Sequence, residues 1–201
     1  MKIPGVRPAG AVTSPSPCLD GCLDDTLQLV DLLSNGRAAA SEDARLAELD
    51  AAFQAHSEAW PGRTGNGNRL PPGREELLDA VEGIRGVFQL LLTYAAWRRA
   101  LPSRRSFQPL LDAERRLLER ARQFARDCWD NRPHCPEVLR GERAELEAIR
   151  RIRLQGIVSL SDEGQNAPLA LRLLELFDEL ASADAELMDC LQEVYAATRP
   201  W

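Results

Sequence analysis

Residues 74–98 read REELLDAVEGIRGVFQLLLTYAAWR, and within them Leu77, Val81, Ile84, Phe88, Leu91 and Ala95 recur at steps of 4, 3, 4, 3 and 4. Only an α-helix brings residues so spaced onto one face, so this stretch predicts an amphipathic helix over about 74–101. Glu75, Glu76 and Asp79 open it, where the positive end of the helix dipole favours acids. Beside the first stripe runs a second, Val87, Leu90, Tyr94, Trp97 and Leu101. The combined apolar arc is too wide for one neighbouring helix to cover, so this helix is either central or open to a partner.

The same period recurs on both sides. A first helix is predicted over about 20–34, with Leu23, Leu27 and Val30 inward and Asn35-Gly36 as its stop. Ser41 is a suitable N-cap for a second, whose stripe of Leu46, Leu49, Phe53, His56 and Trp60 ends at Pro61-Gly62. Residues 61–73, PGRTGNGNRLPPG, are too rich in glycine, proline and asparagine to be regular and are expected to form a mobile connection. After Pro102, Ser106 caps a fourth helix running to about Asn131, with Leu110, Leu117, Ala121, Phe124 and Cys128 inward. A fifth, about 136–160, is charge-dense with a thin apolar seam and is expected at the periphery. Asn166-Ala167-Pro168 starts the last, with Leu169, Leu173, Leu176, Leu180, Leu187, Leu191 and Val194 inward and a gap at Ala183 or Asp184 that predicts a bend. No stretch alternates as a strand does, so the expected fold is an all-α, single-domain bundle of about six helices, four of them long and forming the core. Residues 1–17 are expected to be a disordered leader and residues 18–201 the bundle.

At 201 residues and 44% hydrophobic, the chain is long enough to bury a core without staples. Its formal net charge of -6 argues against sequence-independent nucleic-acid binding and against anionic membranes. Every basic residue except Lys2 is an arginine, which removes catalytic-lysine and Schiff-base chemistry from the bundle. The uncharged run 86–97 is shorter than the roughly 20 residues a membrane span needs. With no signal-peptide pattern and an odd count of 5 cysteines, a cytoplasmic protein with reduced thiols is expected. Residues 98–153 are arginine-rich, whereas residues 173–198 carry Glu175, Asp178, Glu179, Asp184, Glu186, Asp189 and Glu193 and no base, so basic and acidic helices are expected as neighbours.

Few residues suggest chemistry. Cys18-x3-Cys22 and Cys128-x5-His134-Cys135 are ligand types for zinc, but neither forms the C-x2-C knuckle of zinc sites, and packing thiols are the plainer reading. His56, on an apolar stripe, reads as a core or edge histidine held by a polar neighbour. Glu142 and Glu145 (ExxE) with Glu175 and Asp178 (ExxD) resemble the paired acids of all-α nucleotide pyrophosphohydrolases, a resemblance confined to these four residues. It implies a shared Mg2+ if the two pairs converge, whereas the default is solvated helix faces. An apolar cavity lined by Phe53, Phe88 and Phe124 would instead suit a small-molecule sensor. Gly83-x-x-Gly86 reads as close helix packing.

The function these observations favour is a non-enzymatic helical module that binds another protein, as an adaptor, export chaperone, regulator or immunity-type partner, with no cofactor. Its expected contact is the second stripe with the adjoining arginine: Val87, Leu90, Tyr94, Trp97, Arg98 and Leu101. The plainer alternative is that this arc is core. Self-association is left open.

Overall fold

The computed structural model describes residues 17–35, 39–59, 74–99, 107–129, 151 and 167–198. It is all-α, with five helices and no strand among the described residues: α1 (Pro17–Asn35), α2 (Ala39–Glu58), α3 (Arg74–Arg98), α4 (Gln108–Trp129) and α5 (Ala167–Thr198). The fifth expected helix, about 136–160, lies outside the described residues except for Arg151, as do residues 61–73 and all of 1–17 except Pro17.

Four helices close a ring in which α1 packs on α3, α3 on α5, α5 on α4 and α4 on α1, while α2 lies outside against α1. Side-chain pairs fix the directions. Gly83 faces Leu187 and Tyr94 faces Phe177, so α3 and α5 are antiparallel. Arg115 pairs with Asp31 at 3.4 Å and Arg122 with Asp24 at 2.6 Å, so α4 and α1 are antiparallel. Phe107 stacks on Phe177 and Phe124 packs on Tyr195, so α4 and α5 run the same way. These two parallel neighbours are therefore not joined by a hairpin turn.

Among the described residues, the stripes read for the five helices supply the core. Leu77, Val81, Ile84, Phe88, Leu91 and Ala95 are all buried, and α4 and α5 bury Leu110, Leu117, Ala121, Phe124, Leu173, Leu176, Leu180, Leu187, Leu191 and Val194. Helix ends differ more. α1 begins at Pro17, a residue suited to the first helical position because its missing N–H has no intrahelical partner to lose, so Cys18 lies inside the helix. α2 begins at Ala39, which places Ser41 within it instead of at its cap. The next residue, Glu42, turns its side chain inward to Arg98 of α3, whose guanidinium also donates to the Leu33 carbonyl at the end of α1. Arg98 and Glu42, both 2% exposed, thus lock three helices together. Farther along, the rings of Phe53 and Phe88 stack at 4.2 Å and hold α2 on α3.

Candidate functional site

The densest gathering of reactive side chains lies at the N-terminal end of α1, where α2 crosses it. Residues 18, 21, 22, 25 and 26 share one helical face, and the sequence places there Cys18, Gly21, Cys22, Asp25 and Thr26. Gly21 has no side chain, and the imidazole of His56 from α2 occupies that space: a Cβ on Gly21 would stand 2.7 Å from the His56 Cγ. His56 Nδ1 meets Asp25 Oδ2 at 2.6 Å. A carboxylate accepts, so in this contact Nδ1 is the donor. The Asp25 side chain is 6% exposed, whereas that of His56 is 45% exposed. This dyad is thus anchored inside and open to solvent at its outer edge.

The two thiols lie one helical turn apart against this dyad. Cys18 Sγ donates to the His56 carbonyl oxygen at 2.9 Å, and Thr26 donates to the Cys22 carbonyl at 2.7 Å. The neighbouring Cys22 thiol lowers the pKa of Cys18; burial opposes this, and the His56 ring and Arg85 of α3 add to the fall. Cys18 in turn, together with burial, pushes Cys22 upward. Cys190 on α5 is the contrast: burial first, then Asp79, Glu193, Asp189 and Glu186, raise its thiol above the usual range.

A second buried polar contact crosses the ring between α4 and α5. Glu114 and Asp184 are 0% and 1% exposed. Burial raises Glu114 to about 7, and the neighbouring Asp184 opposes part of that rise. The gap in the stripe of α5 is therefore a position filled by a buried acid, and α5 continues through it to Thr198.

The expected protein-binding arc is not an open surface. Val87 and Tyr94 are buried, and so is Arg98, which is spent on Glu42 and Leu33. Leu90 and Trp97 are only partly buried, packed on the core, and Leu101 lies outside the described residues. Tyr94 instead meets Phe107 and Phe177 edge-on at 6.0 and 5.2 Å, filling the place where α3, α4 and α5 converge. Phe53 and Phe88 fill the α2–α3 contact while Phe124 packs against Tyr195, so these three rings are not brought to one cavity wall.

The remaining candidates are dispersed. Cys18 and Cys22 are buried together on α1, Cys128 is on α4, and His134 and Cys135 lie outside the described residues. Glu175 and Asp178 stand exposed on the outer side of α5, and Glu142 and Glu145 lie outside the described residues. Among the described residues no group of three or more His, Cys, Asp or Glu side chains is placed to hold a metal ion. Nor is any helix long and apolar enough to cross a membrane. Comparison with protein families, curated proteins and solved structures gives no match.

Sequence reasoning placed His56 beside a polar neighbour without finding Asp25, marked Asp184 only as a possible gap in a stripe, and did not single out Glu114. For the last two a signal existed. Each interrupts an apolar stripe at a core position, Glu114 between Leu110 and Leu117 and Asp184 between Leu180 and Leu187. Asp25 carried no such mark, because its partner is 31 residues away.

Proposed function

We propose that the chain is a non-enzymatic, cytoplasmic helical module that binds a basic segment of another protein along the outer face of α5. The observation behind this reading is the division of α5 into two faces. Its inner residues are consumed by the ring. Among the outer ones, Glu175, Asp178, Glu179, Glu186, Asp189 and Glu193 are exposed and acidic, and between Glu175 and Glu193 no base interrupts them, the exposed Arg172 lying before the row. Glu175, Asp178, Glu179, Ser182, Ala183 and Glu186 line an open groove of about 490 Å³. Leu171, 45% exposed, stands one turn before Glu175 and offers an apolar anchor at the end of the acidic row. A positively charged amphipathic helix matches that combination of charge and shape, with charge governing encounter and register.

Fluorescence anisotropy tests this, using the full chain with an arginine-rich amphipathic helical peptide and an acidic peptide of the same pattern. The reading expects saturable, salt-sensitive binding of the basic peptide alone, weakened at least about tenfold by the triple change Glu175→Lys, Glu179→Lys, Glu186→Lys. Equal affinity for both peptides, indifference to the triple change, or a loss of thermal stability in that variant would each sink it. The last result would assign the face to contacts within the chain.

A further inference from the structure

We propose that Cys18 and Cys22 form a redox-active dithiol, oxidised by hydrogen peroxide to a disulfide within α1 and restored by an external dithiol, with Cys18 as the attacking sulfur and Cys22 as the resolving one. The pair is set apart from the helix outer faces and does not depend on the binding reading above. Four observations converge on it. The two thiols stand one turn apart on a single buried face of α1, with Cys18 Sγ held 2.9 Å from the His56 carbonyl oxygen. The Cys22 thiol, with Arg85 of α3 adding to it and burial opposing, favours the Cys18 thiolate, the form that reacts. Asp25 fixes the imidazole at 2.6 Å, and the Gly21 backbone lets the ring lie against the helix between the cysteines. Finally, Cys18 is the second residue of α1.

That last position removes a geometric objection. Residues i and i+4 of an intact helix hold their Cβ atoms about 5–6 Å apart, whereas a disulfide needs about 3.5–4.5 Å. The first turn must therefore open. Its N–H groups have no intrahelical acceptors, so opening it breaks few backbone bonds and also carries the buried Cys18 toward solvent. Within the interior of a helix the same spacing would be inert.

The chemistry balances with peroxide as the only oxidant. The Cys18 thiolate attacks one peroxide oxygen; an S–O bond forms, the O–O bond breaks, and the departing hydroxide takes up the proton lost by the thiol and leaves as water. Cys22 sulfur then attacks Cys18 sulfur; the S–S bond forms, the S–O bond breaks, and hydroxide leaves with the Cys22 proton as a second water. Two thiols are oxidised and one peroxide is reduced to two waters.

The test is peptide mapping by mass spectrometry of the full chain after graded hydrogen peroxide, with and without a dithiol reductant. The peptide carrying Cys18 and Cys22 is expected to lose two hydrogens, and to regain them on reduction. In the same samples, differential alkylation is expected to show Cys18 consumed at least about tenfold faster than Cys190, whose thiol is held protonated. Cys22→Ser is expected to halt the reaction at a sulfenic acid on Cys18 that dimedone traps, and Cys18→Ser to leave Cys22 unreactive. A Cys18 no faster than Cys190, or oxidation of the two cysteines without a bond between them, would overturn the proposal. The rate comparison uses the unaltered chain, so it stands even if a serine variant does not fold.

Discussion

Glu114 and Asp184 replace apolar side chains at the centre of a bundle, and the arrangement ties folding to pH. The folded protein keeps the Glu114 proton up to about pH 7, whereas the unfolded chain releases it near 4.5. Between those values the folded state binds more protons, so its stability is fully present below about pH 4.5 and falls as pH rises through 7. At about 1.4 kcal/mol per pH unit, the loss across that window comes to about 3 kcal/mol. Glu114→Gln retains the shape but does not ionise. Denaturant unfolding at pH 5, 6, 7 and 8 is expected to show a falling free energy for the unaltered chain and a nearly flat one for the variant; parallel slopes would place the titration elsewhere. Both acids were visible in the sequence as breaks in apolar stripes. Their meeting was not, because stripe periodicity fixes which face a residue occupies and says nothing about which residue it meets. The same limit hid Asp25 from His56, and Arg98 from Glu42 and the Leu33 carbonyl.

Helix α3 shows what periodicity does and does not resolve. Its start at Arg74 and its buried stripe were readable, because steps of three and four with acids in the first turn admit one geometry. Its two glycines read alike, yet they play different parts. At Gly83 a Cβ would stand 3.3 Å from the Leu187 Cα of α5, so the missing side chain lets the two backbones approach. At Gly86 a Cβ would meet nothing within 4 Å. Gly86→Ala is therefore expected to stabilise the protein by about 0.5–1 kcal/mol, since alanine restricts the unfolded chain and costs no contact. Gly83→Leu is expected to destabilise it by about 1–3 kcal/mol, since its added atoms press on backbone. Thermal melts of both variants check this, and two shifts of the same sign would contradict the α3–α5 approach. The N-terminal end of α2 is where the local signal misled. Ser41 has the chemistry of a cap, but α2 begins two residues earlier, at Ala39.

Across the whole molecule, the wide apolar arc of α3 posed a choice between a central helix and an open docking face, and ring closure answers it. α3 touches α1 on one side and α5 on the other, so a stripe of ordinary width would leave one neighbour without an apolar partner. Tyr94 is the keystone of that closure, 2% exposed and set against Phe107 and Phe177 with the Arg98 guanidinium 5.9 Å from its ring centre. A carboxylate at this position loses the contacts with the Phe107 and Phe177 rings and is buried beside a cation already engaged by Glu42. Losses of this kind reach about 4–5 kcal/mol, against a total of about 5–15 kcal/mol for a typical domain. Tyr94→Asp is thus expected to lose most of its far-UV helical signal at 37 °C, or to melt far below the unaltered chain. Trp97, one turn on and only partly buried, gives the comparison: Trp97→Asp is expected to cost about 1–2 kcal/mol and to leave a cooperative helical melt. A folded Tyr94→Asp protein with an undisturbed melt would return the arc to the surface and reopen it as a docking face.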